Sequence, residues 1–147
     1  MAAKLFTPRP HPDRALTSIG LLVLRLGAGG LLLSGHGYPK LLRLGELATS
    51  FPDPLGVGHA TSVGLVIFAE VICSSLVIIG LCTRIACVPI LGFLCVAGFI
   101  HHAADPWKVR EMAFVFMVPF TALLLMGGGR YALDAVVTRV IGRWPTG

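Results

Sequence analysis

The chain has 147 residues, of which 55% are hydrophobic and 13% are charged, with a mean hydropathy of +0.84 and a formal net charge of +5. A water-soluble domain carries about 25% charged residues, so this composition argues against a disordered tail, a soluble enzyme and a nucleic-acid binder. The length fits one domain, and the sequence predicts an integral membrane protein.

Four apolar stretches meet the requirement of about 20 mostly apolar residues for a transmembrane helix: 17–37, 60–81, 85–102 and 109–126. The first is longer than the apolar core of a cleavable signal peptide and has no clear cleavage site, so we interpret it as an uncleaved span. Residues 1–147 are therefore predicted to form a single all-α domain. Its fold class is an integral membrane four-helix bundle with a short turn between the second and third helices.

The segments between and after the spans carry their own signals. Residues 39–58 form the main predicted loop, with Pro52-Asp53-Pro54 keeping part of it non-helical and residues 41–48 forming a short interfacial helix. Residues 131–143 place Val136, Val137 and Val140 on one side and basic groups on another. This pattern predicts an amphipathic helix at the membrane surface.

Basic residues are distributed unequally between the two predicted faces. The face that holds both termini and the short turn carries Lys4, Arg9, Arg14, Arg84, Arg130, Arg139 and Arg143, whereas the opposite face carries Lys40, Arg43, Lys108 and Arg110. By the positive-inside rule, we expect a multi-pass protein of a bacterial-type cytoplasmic (inner) membrane with cytoplasmic N- and C-termini.

Two ionisable residues lie deep within the predicted spans, Arg25 in the first and Glu70 in the second. A charge at the centre of a membrane helix costs roughly 2.5–3.5 kcal/mol on insertion scales, so each needs a partner or a polar cavity. We predict an Arg25–Glu70 salt bridge. Two interpretations stay open: the pair locks the bundle, or it lines a quinone or proton site.

Helical phase places further polar groups beside this pair. Residues eleven apart return to nearly the same helix face, so Arg25 shares a face with His36, and Glu70 with His59. Gly29 lies on the Arg25 face, where it permits close approach of a neighbouring helix.

Four histidines lie toward the loop end of the spans, and they are candidates for a metal or haem site or for proton acceptors of a quinol. Their spacing does not favour a metal or haem, because there is no HxxxH or HExxH pattern and adjacent histidines point in different directions. The weak metal candidates are His36, His59, His101 and His102.

The four cysteines form no CxxC pair, and a disulfide across the short turn is not expected on a reducing face. We interpret Cys73, Cys82, Cys87 and Cys95 as buried small apolar residues.

Four segments in this order and spacing resemble the DoxX family of small four-helix membrane proteins. They are Leu24-Arg25-Leu26-Gly27 with His36-Gly37-Tyr38-Pro39-Lys40-Leu41, Glu70 followed by Gly80-Leu81-Cys82-Thr83-Arg84, the pair His101-His102, and Gly127-Gly128-Gly129-Arg130-Tyr131-Ala132-Leu133-Asp134. The resemblance extends from about residue 18 to residue 135. The positions carried over from it are Arg25, His36, Lys40, Glu70, Arg84, His101, Arg130 and Asp134, whereas His102 and the cysteines look particular to this chain.

The resemblance implies a role in membrane redox complexes, since the family is named after subunits associated with a terminal oxidase and relatives act in thiosulfate:quinone oxidoreductase. The leading hypothesis is a membrane subunit that contacts quinone or anchors a catalytic partner, as part of an oxidoreductase and not as a complete enzyme. A flavin, haem or metal in the partner would then supply electron transfer. The expected polar seam or quinone site consists of Arg25, His36, Lys40, Glu70 and His101.

Two other functions stay open. One is a non-catalytic anchor or assembly subunit of a larger membrane complex, and the less favoured one is a small transporter, which would need a homo-oligomer. Expected partners are membrane lipid and other membrane proteins, with small residues such as Gly27, Gly29 and Gly30 permitting self-association.

Overall fold

The computed structural model describes residues 14–141, with side chains described for residues 15–137. The described residues form six helices. Four are long and apolar enough to cross a membrane: α1 (Ala15–Leu42), α3 (His59–Ile79), α4 (Thr83–His101) and α5 (Trp107–Met126). Two are short: α2 (Leu44–Ser50) and α6 (Leu133–Ile141). The all-helical four-span prediction is confirmed.

The first span is longer than predicted. It continues through Pro39 to Leu42, whereas the sequence predicted that a loop would begin at Pro39. A proline ring normally clashes with the carbonyl four residues earlier. Here the helix continues past Pro39, directly after a π-helical turn at Leu33–Gly37, and its last turn contains Lys40. The short helix after it is correspondingly Leu44–Ser50 and not 41–48.

The four spans form a closed ring in which α1 packs against α3 and α5, and α4 packs against α3 and α5. Side chains from all four meet in one core, including Leu32, Val77, Ile90 and Phe120, each 1% exposed or less. Large apolar side chains such as Val23, Ile85 and Val118 face outward. A helix that is apolar all round suits a bundle surrounded by lipid.

At one end of the bundle, which we call the turn face, α3 and α4 are joined by a tight turn. Gly80 adopts a left-handed conformation (φ 76°), and the amides of Gly80 and Leu81 donate to the Leu76 carbonyl. The Asp134 carboxylate at the start of α6 then accepts from the amides of Cys82 and Thr83 at 2.7 and 3.1 Å. The segments around Gly80 and Asp134 thus form one structural unit.

The glycine run 127–129 brings α6 back onto this unit. Gly127 and Gly129 have φ values of 79° and 76°, which side chains rarely adopt, and a Cβ on Gly128 would lie 2.6 Å from the Ala132 side chain. The predicted amphipathic segment 131–143 corresponds to α6 as far as Ile141. Lys4, Arg9, Arg143 and the side chains of Arg14, Arg139 and Val140 lie outside the described residues.

The burial predicted for the cysteines is correct for two of them. Cys73 and Cys87 are 2% and 0% exposed, whereas Cys82 and Cys95 are exposed. Cys82 lies in the tight turn with a φ of 50°, and Cys95 lies on the outer side of α4. All four are free thiols.

Candidate functional site: a polar chamber at three π-helical turns

Three of the four spans contain a π-helical turn, Leu33–Gly37 in α1, Phe68–Cys73 in α3 and Val96–His101 in α4. Each turn contains one of the polar residues singled out in the sequence: His36, Glu70 and His101. A π-turn adds a residue to the local helix repeat and is frequently found at functional sites. The three turns bring these side chains to a common cavity.

Glu70 is paired with Lys40 at the centre of this site. The Lys40 ammonium donates to both carboxylate oxygens, Oε1 at 2.7 Å and Oε2 at 2.6 Å, and the Glu70 side chain is 1% exposed. Gly37 permits the approach of the two helices, since a Cβ there would lie 2.7 Å from the Glu70 carbonyl oxygen. The Lys40 ammonium also lies 5.9 Å from the centre of the Phe93 ring.

The pair lines a cavity of about 330 Å³, which we call the polar chamber. Its ionisable or imidazole-bearing walls are His36, Lys40, Glu70, His101 and His102, and its apolar walls include Leu32, Leu94 and Phe116. The His36 and Phe116 rings lie edge to face, with their centroids 5.7 Å apart. Four of the five residues of the predicted seam therefore converge, with His102 as an additional member.

The fifth residue, Arg25, does not reach the chamber, and the predicted Arg25–Glu70 salt bridge is wrong. The Arg25 guanidinium points toward the turn face and donates to the carbonyl oxygens of Val77 (3.4 Å), Ile78 (3.0 Å) and Tyr131 (3.2 Å). The last carbonyls of a helix have no partner within it, so the end of α3 is a ready acceptor for a buried guanidinium. Glu70 is instead neutralised from the other end of α1, by Lys40.

Two other predicted histidines lie at the edge of the site or outside it. The His102 Nδ1 atom lies 2.7 Å from an Asp105 carboxylate oxygen, and its ring lies 4.3 Å from that of His101. His59 does not line the chamber, and its Nδ1 atom contacts the carbonyl oxygen of Phe51, a residue of the chamber wall. Among the described residues, no three His, Cys, Asp or Glu side chains are grouped so that they could hold a metal ion.

The loop 51–58 covers the chamber, with Phe51 and Pro52 forming part of its wall. Asp53 holds this loop to α3: its carboxylate accepts from the Ser62 hydroxyl (2.7 Å) and from the amides of Gly58 (2.7 Å) and Val57 (3.0 Å). The hydrogen bonds from Ser62, Gly58 and Val57 lower the pKa of Asp53 below its ordinary value. The cover is therefore fixed by an ionised aspartate.

Regular helical periodicity could not locate the polar chamber, because the π-turns change the phase at the residues concerned. Pro39 follows one of these turns, but Pro89 and Pro119 lie inside regular α-helix, so a proline does not by itself indicate a π-turn. The close approach expected at Gly29 is confirmed: a Cβ there would lie 2.8 Å from the Ile78 side chain.

These features define a helical membrane protein with a polar chamber between its spans. Residues 20–103 match the model of the DoxX family, and the chain belongs to that family.

The chain is also similar to an uncharacterized membrane protein, Rv3486, of Mycobacterium tuberculosis (strain ATCC 25618 / H37Rv). The two are 31% identical over 134 aligned residues, covering 71% of this chain and 74% of the relative. No solved structure matches the chain. The matched range includes the polar residues 36, 40, 70 and 101, and it ends before the segment 127–134.

Proposed function

We propose that this protein is a membrane subunit of a redox complex and binds the headgroup of a quinone in the polar chamber. The observation that carries the proposal is the convergence of His36, His101 and the Lys40–Glu70 pair on one cavity within the spans. A charged pair at membrane depth is costly, and such residues typically mark ligand, ion or proton pathways.

The chemistry of the chamber suits a neutral headgroup with hydrogen-bond acceptors. The formal charges of Lys40 and Glu70 cancel, so the pair offers no net charge to attract an anion. An ammonium has three N–H donors, and Lys40 uses two of them on Glu70. The third, together with the ring N–H groups of His36 and His101, suits the carbonyl oxygens of a quinone ring.

A bound quinone would supply electron and proton transfer, and the chain's own residues would orient it and exchange its protons. His36 and His101 are suited to this exchange, because an imidazole ring has both a nitrogen that donates a proton and one that accepts it. Electrons would come from or go to a partner protein that carries a flavin, haem or metal. We propose that this partner docks on the bundle in a bacterial-type inner membrane, with both termini of the chain cytoplasmic.

The test is gentle purification from native membranes, followed by identification of co-purifying proteins, quinone and metal in the same sample. Binding of benzoquinones and naphthoquinones is then measured for the wild type and for Glu70→Gln, which removes the anion but keeps the shape. We expect quinone and a redox protein with the wild type, and an affinity lower by about tenfold in the variant, equivalent to about 1.4 kcal/mol.

A matched control is Glu46→Gln, because Glu46 also pairs with a basic residue, Arg43, at 3.1 Å but lies exposed outside the chamber. That variant should bind quinone like the wild type. Recovery of the protein with a partner but without quinone would instead establish an anchor, and recovery with neither would contradict the proposal.

A further inference from the structure

A second cavity adjoins the polar chamber, and nothing in the proposed function accounts for it. It has a volume of about 450 Å³ and lies between α3, α4 and the loop 51–58. We call it the apolar chamber. Apart from Ser62 and His101, all of the described residues that line it are apolar, and the Ser62 hydroxyl donates to Asp53.

The two chambers share a wall. Phe51, Pro52, Phe93, Ala97 and His101 line both of them. The apolar chamber extends from this wall to the outer surface of the bundle, where Leu65 and Phe68 are 55% and 47% exposed. A molecule whose head occupies the polar chamber therefore meets, directly beyond the shared wall, a lipid-facing cavity that suits a hydrocarbon chain.

We infer that the apolar chamber binds the isoprenoid tail of the same quinone whose headgroup occupies the polar chamber. The inference rests on the proposed function and deepens it, because it assigns the ligand class as a long-tailed, membrane-resident quinone and not a small soluble one. His101, which lines both chambers, marks the junction between the ring and the tail.

The shared lining of the two chambers favours this occupant over an unrelated lipid. A phospholipid acyl chain would fill the apolar chamber equally well by polarity, but its phosphate is an anion and the neighbouring chamber carries a neutral pair. A quinone ring matches the polar chamber and its tail matches the apolar one, so a single molecule accounts for both cavities.

Gly92 of α4 offers a direct test because it lines the apolar chamber and a Cβ added there meets no atom within 4 Å. The Gly92→Leu variant should therefore fold, and its leucine side chain should fill part of the apolar chamber that the tail would occupy. The matched control is Gly64→Leu on α3, where a Cβ also meets nothing within 4 Å and which lines neither chamber. Folding of both variants is checked by thermal unfolding.

Binding is measured in one nanodisc composition for a naphthoquinone with a tail of several isoprene units and for the same ring without a tail. For each ligand, the apparent affinity of the variant is divided by that of the wild type. Partitioning of the ligand into the lipid affects both affinities equally, so it does not change the ratio. We expect Gly92→Leu to weaken binding of the tailed quinone by about tenfold, the scale of a methylene or two in an apolar pocket. Binding of the tailless ring should not change, and Gly64→Leu should affect neither ligand.

Equal weakening of both ligands by Gly92→Leu, or no effect on either, would overturn the tail site while leaving the headgroup site standing. Displacement of the tailed quinone by phospholipid added to the protein in detergent would also overturn it, because the chamber would then be a lipid site. Failure of the wild type to bind either ligand contradicts the proposed function, and the tail site falls with it.

Discussion

Lys40 neutralises the buried carboxylate of Glu70 within the spans. The Glu70 side chain is almost wholly buried, and both of its oxygens accept from one ammonium that is 26% exposed. A buried ion pair adds little net stability, because desolvation of the two charges offsets their attraction. Removal of one partner is costly, however, since the remaining charge then has no counter-ion. Net stability therefore accounts poorly for the presence of this pair, which agrees with the proposed ligand-binding role.

This reasoning predicts different outcomes for single and double substitution. Lys40→Met should lower the free energy of unfolding by about 3 kcal/mol, because it leaves the Glu70 carboxylate buried without a partner. The double variant Lys40→Met with Glu70→Met should recover most of that loss, yet should not bind quinone. Thermal unfolding in detergent and quinone binding are the two measurements.

The control for this pair is Arg43→Met, which leaves its partner Glu46 unpaired but exposed to solvent. Because surface ion pairs contribute little, the free energy of unfolding should not change. A double variant as unstable as Lys40→Met would contradict the assignment of the loss to an unpaired carboxylate.

At the scale of elements, the number and type of the spans followed from hydropathy, but their mutual register did not. Hydropathy averages over about 20 residues, so it is insensitive to one extra residue in a turn. The contact of Lys40 with Glu70 depends on such a turn at 33–37, and on the continuation of α1 beyond Pro39. The predicted partner of Arg25 is wrong because the carbonyls at the end of α3 accept its hydrogen bonds, and sequence periodicity contains no information on free backbone acceptors.

The tight turn between α3 and α4 leads to a prediction about Gly80. An added Cβ would lie 2.3 Å from an Arg25 guanidinium nitrogen and 2.7 Å from the Ala132 Cα, at a φ of 76° that side chains rarely adopt. Gly80→Ala should therefore destabilise the bundle by about 1–3 kcal/mol, as strain at a special backbone conformation does. Thermal unfolding measures this loss.

The matched control for that loss is Gly64→Ala, within α3, where nothing lies within 4 Å of the added Cβ. It should be neutral or slightly stabilising, because alanine has the better helix propensity. Equal stability of the two variants would show that Gly80 is not constrained by the Arg25 contact and the turn.

The loop 51–58 is expected to respond to pH through Asp53. Its hydrogen bonds with Ser62, Gly58 and Val57 lower the pKa of Asp53 in the folded protein, so the anchoring is complete above the unfolded pKa of about 4. Anchoring is lost as the pH falls through the lowered folded value. Asp53→Asn should therefore speed amide hydrogen exchange at Val57 and Gly58 at neutral pH, with wild type and variant compared at the same pH.

The difference between wild type and Asp53→Asn should disappear in acid, once Asp53 is protonated. Asp105→Asn serves as the control, because Asp105 contacts His102 and not this loop. A difference that persists unchanged at low pH would show that the carboxylate charge does not anchor the loop.

On the scale of the whole molecule, the residues shared with the family pattern separate into two groups. Arg25 and Asp134 hold the turn face together, and Arg84 donates to the Leu125 carbonyl at 3.0 Å, near the end of α5. The residues His36, Lys40, Glu70 and His101 instead line the polar chamber, in the half of the bundle toward the loop 51–58. One end is therefore held by structural contacts and the other contains the proposed quinone site, so the orientation in the membrane decides on which side quinone protons would be exchanged.

The positive-inside rule predicts that the turn face is cytoplasmic and the polar chamber lies toward the outside. Cys82 provides a natural probe, because it is an exposed free thiol in the tight turn. In a Cys95→Ser background, which removes the other exposed thiol, a membrane-impermeant maleimide should label Cys82 in inverted vesicles and not in spheroplasts, and Cys82→Ser should remove the label. Ala104→Cys in the Cys82→Ser background, on the exposed segment between α4 and α5, should show the opposite pattern. Labelling of Cys82 in intact spheroplasts would reverse the orientation and place the chamber toward the cytoplasm.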